Sequence, residues 1–208
     1  MFNLISRVRT FLGDQPASPH PWPKVAILGL PDAGKRALLQ HLSDTPVDPI
    51  TVAGCHAGWT SSSHALGLNF IAADVGLDAR LRWRAAVAAR YTDADAVIIV
   101  VNPAHAIALE ELRYQLGCLV NGMEETGEVQ TYCIVRKGIP WLVLVNCEGS
   151  AVVRDLPAMR EMQGSRLMVW DWMFRSISTM TGEGVEGSML WLKKKIRVNA
   201  ERRLPAEN

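Results

Sequence analysis

The sequence predicts an α/β domain: a mostly parallel sheet of about six strands in a three-layer arrangement, with helices on both faces. Three observations predict it. Short apolar runs alternate with stretches of helical period between Lys24 and Val198. Two of the runs, AVIIVVN and WLVLVN, are apolar on both faces, as buried parallel strands must be. The chain has 208 residues, 49% hydrophobic and 21% charged, which suits one globular core and excludes a disordered or fibrous chain. The 22 Lys and Arg against 21 Asp and Glu leave a net charge of +1, so no chain-wide field draws the protein to nucleic acid, and no nucleic-acid partner is expected. Cys55, Cys118, Cys133 and Cys147 stand apart without a C-x-x-C pair, so neither a zinc site nor a disulfide framework is legible, and a reducing compartment is expected. No apolar run reaches the roughly 18 to 20 residues of a spanning helix, and arginines interrupt the N-terminal apolar segment, so the expected location is cytoplasmic.

The elements follow in order. Met1, Leu4, Ile5, Val8, Phe11 and Leu12 recur at helical spacing, with Asn3, Ser6, Arg7, Arg9 and Thr10 opposite, so residues 1–13 read as an amphipathic helix. Gly13 stops it, and Pro16, Pro19, Pro21 and Pro23 make residues 14–23 a stiff linker. A helix this short is marginal alone in water and needs a surface, either a groove on its own domain or a bilayer interface. Phe2 excludes N-myristoylation, and the C-terminus carries no C-a-a-X box.

The domain itself is expected over residues 24–198. KVAILG reads as a strand and KRALLQHL as a helix, followed by a loop rich in Gly, Pro and Ser. ALGLNFIAAD is a strand, LRWRAAVAARY helical, and AVIIVVN the strongest buried strand. A helix with Leu109, Leu112, Leu116 and Leu119 at helical spacing precedes the strand WLVLVN. MVWDWMFRSIS is the last strand, and GVEGSMLWLKKKI opens the closing helix. That helix and the basic tail over 199–208 that follows it gather Lys193, Lys194, Lys195, Arg197, Arg202 and Arg203. The helix macrodipole accounts for cations at a C-terminus, and such a patch also suits an anionic membrane. Among the tryptophans, Trp141, Trp170, Trp172 and Trp191 are expected in core or partner surface, and Trp22 and Trp59 in loops. His56 and His64 beside Cys55 lack a fourth ligand at metal-binding spacing and read as a polar loop.

In a sheet of this kind ligands bind beyond the carboxyl ends of the strands. After the first strand comes Gly29-Leu30-Pro31-Asp32-Ala33-Gly34-Lys35-Arg36-Ala37, a match to G-x-x-x-x-G-K without the final Ser or Thr of a phosphate-binding loop. The glycines let backbone wrap a phosphate, the helix N-terminus aims positive charge at it, and Lys35 adds a point charge. Arg36 stands where a hydroxyl would hold magnesium. It either excludes the metal or replaces its charge by touching phosphate directly.

These residues, with FIAADVGL, IIVVN, GIPWLVLVN and STMTGEG in the same order, resemble an Arf-like small GTPase over residues 1 to about 198. The N-terminal MFNLISR is similar to the lysosome-associated branch, whose members use an acetylated amphipathic helix. The resemblance implies the P-loop small-GTPase fold and a site for GTP or GDP. It also shows departures. Asp74-Val75-Gly76-Leu77-Asp78 replaces D-x-G-G-Q: Asp74 would hold magnesium through water, and Gly76 is kept. Leu77 stands for a glycine and Asp78 for the catalytic glutamine. A carboxylate there adds negative charge beside an anionic transition state, so no catalytic residue is assigned. Asn146-Cys147-Glu148-Gly149 replaces the guanine-reading N-K-x-D, keeping only the asparagine, with Glu148 one residue early as a substitute acceptor. Ser178-Thr179-Met180 aligns with the loop that offers a backbone amide to the guanine carbonyl. Thr51 is the nearest match to the metal-binding threonine of the first switch and is left unassigned. Residues 122–137 lengthen one connection beyond the family norm, as a partner-specific feature would.

Together these expectations describe a divergent Arf-like monomer with weakened or lost hydrolysis and altered guanine recognition, serving as a trafficking or scaffold component. It would be peripheral on endomembranes, lysosomal or endosomal, through its N-terminal helix, and would engage effector or adaptor proteins. Two alternatives stand beside it: a GTP-binding switch with non-standard ligands, and a nucleotide-free interaction module.

Overall fold

The structure, a computed structural model, describes residues 22–52, 55–73, 93–103, 123–125, 128–130, 138–147 and 171–202. Its central sheet has seven strands: β1 (Lys24–Leu28), β2 (Asp48–Val52), β3 (Cys55–Ser63), β4 (Leu68–Ala73), β5 (Ala96–Val101), β8 (Trp141–Asn146) and β9 (Trp172–Ile177). Their spatial order is β2-β3-β4-β1-β5-β8-β9. From β4 to β9 every neighbouring pair is parallel, while β2–β3 and β3–β4 are antiparallel. A separate two-stranded ribbon joins β6 (Met123–Glu125) to β7 (Glu128–Gln130) inside the long connection marked in the sequence.

Continuous apolar runs form the middle of the sheet because no position in them has to meet water. Every residue of β5 and of β8 is buried. Two helices are described, α1 (Lys35–Leu42) and α2 (Val185–Glu201). Leu38, Leu39 and Leu42 of α1 join Val185, Met189, Leu192 and Ile196 of α2 in one apolar cluster with Val25, Ile27, Phe70, Ile98 and Leu144 of the sheet. Both helices therefore pack on the same face. Val97, Ile99, Trp141 and Val143 on the other face are buried as well.

The Gly-, Pro- and Ser-rich stretch after α1 is not the expected loop. It forms β2 and β3, which raises the strand count from about six to seven, and it places Trp59 in a strand, half-buried against the core. Proline is tolerated at position 49 because β2 is the outermost strand, and the pairing shifts register between Ile50 and Thr51. The serines are compatible with a strand because their hydroxyls find partners: Ser43 Oγ donates to Ser61 Oγ at 2.6 Å and Ser62 Oγ to Asn69 Oδ1 at 2.8 Å. Asp44 anchors the turn between β3 and β4, accepting the backbone N–H groups of His64 and Ala65, each at 3.0 Å, and lying 2.8 Å from His64 Nδ1. Those contacts, led by the His64 N–H, lower the Asp44 pKa to about 2. Trp22, where the chain enters the domain, meets the His64 ring edge-on with centroids 4.9 Å apart.

The macrodipole explains less of the basic cluster than the sequence suggests. α2 continues to Glu201 and has no basic residue in its last turn, so Lys193 and Lys194 stand too far back to feel the terminus. Lys195 instead pairs with Asp171 at 3.0 Å, and Arg197 faces Glu201 at 3.6 Å. No helix among the described residues is long and apolar enough to cross a membrane. The N-terminal helix, the LRWRAAVAARY and leucine-rich helical stretches, Trp170 and residues 203–208 lie outside the described residues.

Candidate functional site

The carboxyl ends of β1, β8 and β9 lie at the same end of the parallel sheet, and the loops that follow them meet there. The first is the glycine loop. Gly29 has φ +147, and a Cβ on it would come within 2.4 Å of the Val100 carbonyl oxygen, so the loop can pass close over β5 only as glycine. Asp32 adopts φ 59, a left-handed conformation that aspartate tolerates better than bulkier residues. At Gly34, φ +97 turns the chain into α1, whose first turn carries no side-chain cap and no acidic residue. A helix start without a competing carboxylate is the arrangement that receives a phosphate.

Lys35 opens α1 and is only 3% exposed. Its Nζ donates to the carbonyls of Gly29 at 2.9 Å and Leu30 at 2.6 Å, drawing the loop around its own cation. Arg36 is exposed and Ala37 half-buried. The donor set after Lys35 does not fit a magnesium ion, because a guanidinium offers five N–H donors and no lone pair to a metal. Asp74, Gly76, Leu77, Asp78 and Glu148, all singled out in the sequence, lie outside the described residues.

Asn146, at the end of β8, joins the remaining pieces. Its Nδ2 donates to the Ala33 carbonyl in the glycine loop at 3.2 Å, and its Oδ1 accepts the Thr179 N–H at 3.0 Å. The amide is 1% exposed, so both contacts are shielded from water. Gly34 lies against the same junction: a Cβ there would meet Asn146 Nδ2 at 2.7 Å and Thr179 Oγ1 at 2.9 Å. Cys147 follows with its N–H donated to the Ile177 carbonyl at 2.8 Å, which ties the end of β8 to the end of β9.

The loop after β9 is a tight turn. Ser178 N–H donates to Glu183 O at 3.0 Å, Gly182 N–H to Ser178 O at 2.8 Å, and Thr181 N–H to Ser178 Oγ at 3.2 Å. Met180 stands at its tip, 74% exposed. The structure thus brings Gly29 to Ala37, Asn146, Cys147 and Ser178 to Met180 to one end of the sheet. Thr51 is elsewhere, exposed on the outermost strand β2.

Two features were not read from the sequence. Thr179 Oγ1 is buried with no hydrogen-bond partner among the described residues. His41, in the last turn of α1, places Nε2 at 2.6 Å from the Thr179 carbonyl, across 138 residues of sequence. No local spacing marks a contact of that range.

The same architecture recurs in known proteins. A family model described as the ADP-ribosylation factor family matches residues 20–196. ADP-ribosylation factor-like protein 3 of Chlamydomonas reinhardtii is 25% identical over 181 residues, covering 84% of this chain and 90% of that protein. Among solved structures, the Arl6 BBS3 small GTPase from Trypanosoma brucei, with bound nucleotide analogue GppNp, superposes with a TM-score of 0.59 at 18% identity. That match covers 85% of this chain and 98% of the other. An ADP-ribosylation factor-like GTP-binding protein, the small COPII coat GTPase SAR1 from Encephalitozoon cuniculi, in complex with GDP, gives 0.61 at 15% identity, covering 96% and 89%. At these identities the two structures establish the α/β P-loop GTPase fold.

Proposed function

The chain belongs to the ADP-ribosylation factor family, and from that premise we propose that it holds a guanine nucleotide in the glycine loop but hydrolyses it weakly or not at all. It serves as a peripheral endomembrane component that acts through its surfaces. The observation that carries this reading is the junction at Asn146, which keeps the glycine loop and the 178–184 turn in one assembly. A frame of that kind costs buried polar groups and is what a nucleotide spanning both loops needs.

The chemistry of turnover is altered where the frame is not. Arg36 replaces the small oxygen ligand of the loop, and Asp78 replaces the glutamine that would orient water. Gly149 and Cys147 remove the carboxylate and the ammonium of the base-reading motif, so guanine selectivity is relaxed. The amphipathic residues Met1, Leu4, Ile5, Val8, Phe11 and Leu12 supply membrane attachment, and effector or adaptor proteins are the partners.

A second reading, a nucleotide-free interaction module, is favoured by Lys35, whose ammonium already has two carbonyl acceptors. Acid extraction of natively purified protein, with identification of any released nucleotide, separates the two. GDP or GTP near one per chain supports the first. A folded, empty protein whose melting temperature is unmoved by GTP, with or without magnesium, overturns it in favour of the second.

A further inference from the structure

We propose that His41 is a positioning residue for nucleotide binding, holding the 178–184 turn against the end of α1 so that it meets the base squarely. The inference rests on the nucleotide-binding reading above and adds a residue that no motif of the sequence marks. α1 starts in the glycine loop at Lys35 and ends at Leu42, so His41 stands at the far end of the same rigid rod. Its Nε2 lies 2.6 Å from the Thr179 carbonyl oxygen. A carbonyl can only accept, so Nε2 carries the proton and the bond fixes the ring's tautomer and orientation.

The ring also packs on the other limb of the turn. Gly182, at φ +79, lies close enough that a Cβ on it would be 3.2 Å from His41 Nδ1 and 3.4 Å from Cε1. The turn is tied internally by the bonds from Gly182 to Ser178 and from Ser178 to Glu183, so it moves as one body. Beyond its junctions with β9 and α2, two hydrogen bonds among the described residues tie that body to β8 and α1: Asn146 Oδ1 on the Thr179 N–H, and His41 Nε2 on the Thr179 carbonyl. They act on opposite ends of adjoining peptide units. With both, the turn has a fixed tilt; with Asn146 alone it can pivot.

A closed circuit results. It runs from the glycine loop along α1 to His41, across to Thr179, through Asn146 and back to Ala33. His41 is its exposed member, so its removal opens the circuit without emptying the core. Phosphates held by the glycine loop keep their contacts, and the base loses the fixed orientation of its loop.

The test compares the full-length protein with His41→Ala and His41→Gln, reading the release rate of mant-GDP and the melting temperature of the nucleotide-free protein. His41→Ala is expected to release mant-GDP about five- to tenfold faster, the effect of one lost hydrogen bond, while free-protein melting falls by no more than about 5 °C. The glutamine amide can donate to the same carbonyl and restores release to within about twofold of the parent. Parental release by His41→Ala, no restoration by His41→Gln, or a fall in free-protein melting without a change in release overturns the proposal. Should the parent retain no mant-GDP at all, the nucleotide-binding reading falls and this one with it; retention by the parent with unchanged release in His41→Ala overturns this one alone.

Discussion

Asn146 and Ala33, 113 residues apart in the chain, are joined inside the protein by a 3.2 Å hydrogen bond from a side-chain amide to a backbone carbonyl. The other end of that amide accepts the Thr179 N–H, so a single side chain satisfies two buried backbone groups. Asn146→Ala leaves both unpaired and is expected to cost about 2 to 6 kcal/mol, since each buried orphan costs roughly 1 to 3. Urea denaturation measures it, and a loss below about 0.5 kcal/mol would contradict the bridging role.

Thr179 offers the opposite case. Its hydroxyl is buried without a hydrogen-bond partner among the described residues, while its backbone N–H and carbonyl carry the contacts to Asn146 and His41. Thr179→Val removes the stranded polar atom, keeps the shape and leaves both backbone contacts intact. It is expected to stabilise the nucleotide-free protein by about 1 kcal/mol. A destabilised Val variant in thermal melting would mean that the hydroxyl has a partner after all.

Gly34 has no room for a side chain. A methyl group there would meet Asn146 Nδ2 at 2.7 Å and Thr179 Oγ1 at 2.9 Å, at a backbone φ of +97 that L residues resist. Gly34→Ala is expected to lose roughly 1 to 3 kcal/mol of stability from strain alone, together with nucleotide retention. Circular dichroism melts and nucleotide content report the two effects separately.

Asp44 sets a pH window far from neutrality. Its folded pKa of about 2 lies below the unfolded value near 3.8, held down first by the His64 N–H, then by the His64 ring and the Ala65 N–H. A depressed carboxylate contributes stability that is full above the unfolded pKa and disappears as pH falls through the folded one. The melting difference between parent and Asp44→Asn is therefore expected to shrink between about pH 4 and pH 2. A difference that stays constant over this range would place its origin outside the carboxylate.

Hydrolysis should be recoverable in part. Arg36→Thr restores a small oxygen ligand after Lys35, and Asp78→Gln restores a neutral amide to orient water. The double variant with magnesium is expected to release phosphate from GTP at least on the order of tenfold faster than the parent, with smaller gains in each single variant. A parent as fast as the double variant would overturn the weak-hydrolysis proposal.

The sequence was most informative where one kind of interaction decides the structure. β5 and β8 were legible because AVIIVV and WLVLVN have no face that could meet water. The glycine loop was legible because only glycine fits beside Val100 and beside Asn146. β2 and β3 were not, because Pro49 and Ser61 to Ser63 carry loop chemistry, and what allows them in strands is an outer position and hydroxyl partners distant in sequence. His41 was illegible for the same reason. Its significance comes from Thr179, and nothing within one helix points there.

The circuit through Ala33, Asn146, Thr179 and His41 also has a consequence for biosynthesis. A chain emerging from the ribosome presents its glycine loop early, but the turn that completes the circuit comes near the C-terminus, 138 residues after His41. Contacts of such long range form late and slowly. A nascent chain truncated before residue 178 carries the glycine loop without the segment that closes the circuit, so any nucleotide capture of the kind proposed above waits until the 178–184 turn has emerged.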